Sequence, residues 1–186
     1  MISLILNLTI LQKRGVKGAF AELGVYKGNT SAILAWFASK SSESLFLFDT
    51  FTGFEKKDLI GLDVDKNVSF TDTSIDIVKA VLGNLNDSES KVKFVKGWFP
   101  ESIQPEHQDT VFSAVSIDCD LYQPMKAGLE FFYPRMAPGG MIFAHDYSSG
   151  LWPGATLALD EFCLEHKLSV VLLPDKSGTA VLTKPF

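Results

Sequence analysis

Five short apolar runs, alternating with stretches of helical periodicity, constrain this chain more than any other feature. They are residues 19–24 (AFAELG), 44–49 (SLFLFD), 92–96, 111–117 (VFSAVSI) and 141–144. Between them, 29–40 reads as a helix with Asn29 or Thr30 as its cap, and 75–85 as another. Leu121, Met125, Leu129, Phe132 and Met136 recur at spacings of four and three, one face of a third helix, which Pro138-Gly139-Gly140 is expected to stop. Thr156, Leu159, Phe162, Cys163 and His166 line a fourth. Such alternation predicts βαβ units and a parallel sheet. Two last runs, 169–173 and 179–182, are joined by only five residues, too few for a parallel crossover, so they form an antiparallel hairpin. The expected fold is α/β: a doubly wound, mostly parallel seven-stranded sheet closed by a C-terminal hairpin.

No linker or repeat divides the 186 residues, so 1–186 reads as one domain, with 1–17 an N-terminal helix packed on it. The net charge of −5 and the lack of a clustered basic face argue against nucleic acid as partner. Residues 1–11 are apolar but carry Asn7 and Thr9, and fall well short of the roughly 20 residues that cross a bilayer. Ile5, Leu8 and Leu11 are expected to face the sheet, and the remaining apolar surface hints at self-association into a homo-oligomer. Cys119 and Cys163 read as buried thiols in a reducing cytoplasm. The stretch 51–73 is too long and polar for an ordinary connection, which marks it as functional.

In open α/β sheets, ligands bind beyond the carboxyl ends of the strands. The sequence places Glu22, Asp49, Asp118, Asp120, His145 and Asp146 there. Grouped carboxylates are costly unless a ligand, cation or proton compensates them. In the first turn, Gly24 and Gly28 allow close ligand approach, but Tyr26 stands where a dinucleotide fingerprint has its middle glycine, and no Gly-Lys-Ser/Thr follows. A nucleoside without phosphates fits better than a nicotinamide dinucleotide, which is the alternative. Asp49 then suits the ribose diol, since a carboxylate can accept both hydroxyl protons. Trp98, Phe99 and Pro100, after the third strand, are expected to wall an adenine, with Gly97 beside them at the cofactor, and Trp152 to cover a small-molecule acceptor. Asp118, Asp146 and His145 on adjoining strands suit Mg²⁺ or Mn²⁺. An Asp or His there, Asp118 or His145, would take a hydroxyl proton. Asp120 could instead cap the next helix. His107 and His166 are read as surface or helix-face residues.

Five ordered blocks go further. Glu22-Leu23-Gly24-Val25-Tyr26-Lys27-Gly28-Asn29-Thr30-Ser31, Phe48-Asp49-Thr50-Phe51-Thr52-Gly53-Phe54, Val95-Lys96-Gly97-Trp98-Phe99-Pro100-Glu101-Ser102, Ser116-Ile117-Asp118-Cys119-Asp120-Leu121-Tyr122, and Pro138-Gly139-Gly140 through His145-Asp146-Tyr147 together resemble the macrocin O-methyltransferase family. The resemblance implies a class I methyltransferase that uses S-adenosylmethionine to methylate hydroxyls on sugars of natural products. By that pattern Glu22, Gly24 and Gly28 border the methionine part of the cofactor, Thr30 and Ser31 help hold it, and Tyr26 is also among the cofactor-binding residues. Asp49 binds its ribose, with Thr50 and Phe51 beside it. Mg²⁺ falls on Asp118 and Asp146, and Asp118 is the expected base. Where the family has two consecutive Asp, this chain has His145-Asp146, which implies weaker Mg²⁺ binding or a softer ion. About seventeen residues precede the first strand, fewer than in relatives whose N-terminal region helps cover the substrate. A binding subunit without catalysis is the remaining alternative.

Overall fold

The computed structural model describes residues 1–66, 70–85 and 91–186. Seven strands form one sheet: β1 (Ala19–Leu23), β2 (Leu45–Asp49), β3 (Val92–Lys96), β4 (Phe112–Ile117), β5 (Met136–Ala144), β6 (Val171–Leu172) and β7 (Ala180–Thr183). Their spatial order is β3-β2-β1-β4-β5-β7-β6. The first five are mutually parallel, and β7 runs antiparallel to both β5 and β6. Every residue of β1 and β4 is buried, as expected for central strands covered on both faces.

Six helices supply the cover: α1 (Ile2–Lys13), α2 (Asn29–Ser39), α3 (Ile75–Leu82), α4 (Pro105–Gln108), α5 (Tyr122–Phe132) and α6 (Pro153–His166). On one face Leu8, Leu11, Leu34, Phe37 and Val78 of α1–α3 pack on Phe20, Leu45 and Leu47. On the other, Met125, Leu129, Phe132, Leu159 and Phe162 of α5 and α6 pack on Leu23, Phe48, Val115 and Ile117. Among the described residues, no helix is long and apolar enough to cross a membrane.

The structure corrects several local expectations. The inner face of α1 is Leu4, Leu8 and Leu11, a spacing of four and three, while Ile5 is exposed with Met1, Ile2 and Leu6. α2 begins at Gly28 with left-handed backbone (φ 84°), and neither Asn29 nor Thr30 caps it. α5 ends at Phe132, where a 3₁₀ turn through Pro134 closes it; Met136 is already strand. Pro138-Gly139-Gly140 therefore lies inside β5, where it loops out and shifts the register against β4. Proline cannot supply a ladder donor, and a bulge accommodates it. His107 is buried, its Nδ1 accepting from the Gln104 backbone N–H and its ring edge-on to Phe46 and Phe48. Burial lowers its pKa.

Candidate active site

Parallel winding brings the carboxyl ends of β1, β2, β4 and β5 to one edge, where a cleft of ≈ 340 Å³ opens. Its lining includes Glu22, Gly24, Tyr26, Thr30, Asp49, Thr50, Gly97, Trp98, Asp118, His145 and Asp146. These blocks lie far apart in the sequence, yet one edge collects them. Gly28, Ser31 and Phe51 do not line it. Ser31 is buried and donates its hydroxyl to Glu22, so it acts through that carboxylate. Phe51 is core, edged toward Phe94.

Gly24 shows how tightly the floor is built. Its φ of 86° is left-handed, and a Cβ there would come within 2.0 Å of the Asp118 carbonyl oxygen. Only glycine lets the turn after β1 pass under the turn after β4. Next to it, Tyr26 also holds a left-handed φ of 49°, rare for a bulky residue. Three contacts fix it: its N–H donates to Asp49 Oδ2, its phenol donates to Asp72, and its carbonyl accepts from the Thr73 hydroxyl.

Asp49 is more committed than the sequence suggests. Oδ2 accepts from the Val25 and Tyr26 N–H groups at 2.7 and 3.0 Å, and Oδ1 accepts from the Phe51 N–H at 2.6 Å. The carboxylate that ends β2 thus stitches the β1 turn in place.

Buried acids crowd the floor. Burial drives the Glu22 carboxyl well above its ordinary range; Ser31 opposes this, and Asp118 and Asp49 add to it. Burial, with Asp118 and Asp146 nearby, pushes Asp120 up to about 8, and it shares a hydrogen bond with Asp146. Asp120 does not cap α5. Asp63, from the long loop after β2, accepts the Tyr122 N–H at 2.8 Å instead. His145 Nδ1 lies 3.0 Å from Asp118 Oδ1 and 2.9 Å from Asp146 Oδ2. Burial opposes charge on this ring, but the two carboxylates outweigh it and raise its pKa to about 10. Those three ligand atoms lie within 4.8 Å of one another, close enough to share one ion.

The long loop supplies residues that sequence reasoning missed. Phe54, Asp58, Phe70 and Thr73 all line the cleft. Phe54 and Phe70 pack edge-on, with Trp152 5.8 Å from Phe54 across the mouth. The length of the loop was the only signal for them.

A sequence model of the Macrocin-O-methyltransferase (TylF) family matches residues 5–178. The chain belongs to the macrocin O-methyltransferase family. It is accordingly an S-adenosylmethionine-dependent O-methyltransferase, which overturns the nicotinamide alternative. No curated protein sequence matches it. Solved structures agree on the Rossmann-like fold. The O-methyltransferase NovP superposes with a TM-score of 0.82 at 18% identity, over 99% of this chain and 78% of that one. The calicheamicin methyltransferase CalS11, also described as a TDP-rhamnose 3′-O-methyltransferase, gives 0.76 at 23%, over 98% and 79%. An O-methyltransferase from Bacillus cereus in complex with SAH gives 0.65 at 17%, over 97% and 80%.

Proposed function

We propose that the enzyme methylates a hydroxyl of a sugar or glycosylated small molecule, with Asp118 taking the proton. One observation carries this reading: Glu22, Asp118, Asp120 and Asp146 converge on one cleft beside the open Gly24 turn. Such a floor needs positive charge, and S-adenosylmethionine brings a sulfonium and an ammonium. Glu22, bonded on one side to Ser31, suits the ammonium. Gly24 lines the cleft where the methionine portion would lie, and Trp98 walls the base. Asp49 fixes the turn beneath the ribose and meets the sugar only with whatever acceptor capacity its backbone bonds leave.

The hydroxyl oxygen attacks the methyl carbon in line, the sulfur departs with the bonding pair, and the hydroxyl proton passes to Asp118. Positioning and hydroxyl activation supply most of the rate. His145 holds its proton between Asp118 and Asp146, so the ring is not itself the base and serves to orient Asp118. Asp118, His145 and Asp146 would hold a divalent ion in place of that proton, since an imidazole binds metal in its neutral form. Two carboxylates and an imidazole fit Mn²⁺ better than Mg²⁺, whose preference is for oxygen alone. Such an ion, when bound, lowers the pKa of a hydroxyl.

The test is methyl transfer from labelled S-adenosylmethionine to TDP-rhamnose and a panel of glycosides, with Mn²⁺, with Mg²⁺ and with excess chelator. Product should form, vanish in chelator, return best with Mn²⁺, and fall at least ~100-fold in Asp118→Asn. Undiminished turnover in chelator removes the metal. Cofactor binding with no product from any of these acceptors overturns the sugar acceptor.

A further inference from the structure

Trp98 follows β3 and Trp152 follows β5, so they belong to opposite flanks of the five parallel strands. With the cofactor's base against Trp98, the Trp152 flank is left for the acceptor. There the cleft has a second aromatic wall, made by Tyr26, Phe54, Phe70 and Trp152. Phe70 packs edge-on to Tyr26 and to Phe54, with ring centres 5.1 Å apart in both pairs, and lies 6.4 Å from Trp152. Rings set at steep angles do not stack flat on one another, which leaves apolar faces for a ligand. All four are only half-buried. Phe70, like Tyr26, holds a left-handed backbone (φ 45°), rare for a bulky side chain, and such strain gathers at ligand sites.

Positive charge, by contrast, is already spoken for on this flank. Among the described residues that line the cleft, Lys27 and His145 are the basic ones; Lys27 pairs with Asp72, and His145 with Asp118 and Asp146. Beside Trp152, Lys66 donates to the Leu151 carbonyl at 2.6 Å and sits 4.7 Å from the Trp152 ring centre. Glu55 adds to the acids of the floor. A sugar nucleotide carries about two negative charges on its diphosphate, which Arg, Lys or a helix N-terminus would ordinarily meet. The helix that starts here, α6, opens with Pro153, which has no N–H to offer.

We propose that the acceptor is an uncharged glycoside whose apolar or aromatic aglycone packs among Phe54, Phe70 and Trp152, and not a sugar nucleotide. This rests on the sugar-acceptor reading above and narrows it to one class. The aglycone anchors the acceptor and the sugar hydroxyl reaches Asp118, so Phe54 and Phe70 set specificity without touching the reacting atoms.

Initial rates with matched acceptors test this on the full chain in excess Mn²⁺: the phenyl glycoside, the methyl glycoside and the TDP derivative of each of several sugars, rhamnose first. For the sugar that is methylated, kcat/KM should be roughly 10-fold higher for the phenyl than for the methyl glycoside, the scale of burying one ring. It should be at least ~10-fold higher for the phenyl glycoside than for the TDP-sugar, whose diphosphate meets a cleft rich in acids. Phe70→Ala should cut the phenyl-over-methyl advantage at least ~3-fold. Titration with S-adenosylhomocysteine shows whether that variant is folded, and Phe54→Ala serves in its place if it is not. A TDP-sugar used as well as the phenyl glycoside, or equal rates for the phenyl and methyl glycosides, overturns the proposal and leaves the sugar acceptor standing. No product from any sugar removes both.

Discussion

Glu22 sits in a strand whose other residues, Ala21 and Leu23 among them, belong to the core, and its buried carboxyl accepts from the Ser31 hydroxyl. Its raised pKa means that the folded state favours the neutral form. Glu22→Gln retains the Ser31 bond and removes the charge. The ligand-free variant should therefore melt ~2–4 °C higher at pH 8, about 1 kcal/mol for a chain of this size. Its affinity for S-adenosylhomocysteine should fall at least ~10-fold; scanning calorimetry and titration on the same preparation read both. Glu22, Asp118 and Asp146 were legible in the sequence because each lies on or just past a strand whose apolar pattern fixes its register. Asp58 and Phe70 were not, because a loop has no period and their neighbours come from distant elements. The engagement of Asp49 by backbone N–H groups was equally hidden, since it depends on how two turns meet.

At the level of elements, the segment between β2 and α3 behaves as a strap. Asp58 ties it to Trp98, Asp63 accepts from the first N–H of α5, and Asp72 and Thr73 grip the turn at Tyr26 and Lys27. Asp63→Ala strips α5 of its borrowed cap and should cost about 1–2 kcal/mol, a fall of ~2–8 °C in melting temperature. Limited proteolysis should then cut first within 50–74, whereas unchanged cleavage would show that the strap hangs on its other ties. Most strands and helices followed from periodicity to within a few residues, whereas the four-residue α4 is too short to show a period and was not foreseen. The join between α5 and β5 did not: Met136 continues the helical spacing of Leu129 and Phe132, but Pro134 ends the helix before it.

For the whole molecule, the pKa shifts set the pH dependence of stability. Glu22, Asp120 and His145 all titrate higher when folded, so the folded state binds more protons. Their contribution is full below the unfolded values and is lost as pH rises, through about 8 for Asp120 and about 10 for His145. Asp146 and Asp175 are shifted down, and their contribution is lost as pH falls through their folded values, below the usual 3.8. Ligand-free protein should be most stable near about pH 4 and melt progressively lower from there to pH 10. Thermal scans in metal-free buffer would show this, and a melting temperature flat from 6 to 10 would contradict the pairing of His145.

The interlock at Gly24 divides the enzyme into a fixed part and an exchangeable one. Because the Asp118 carbonyl leaves no room for any side chain at position 24, the two turns that meet there must be inherited together. The strap is tied into that lock through Asp72 and Thr73, whereas the turn around Trp152 lies outside it. Residues near Trp152 can therefore vary, by graft or by selection, with the least disturbance to the joined turns.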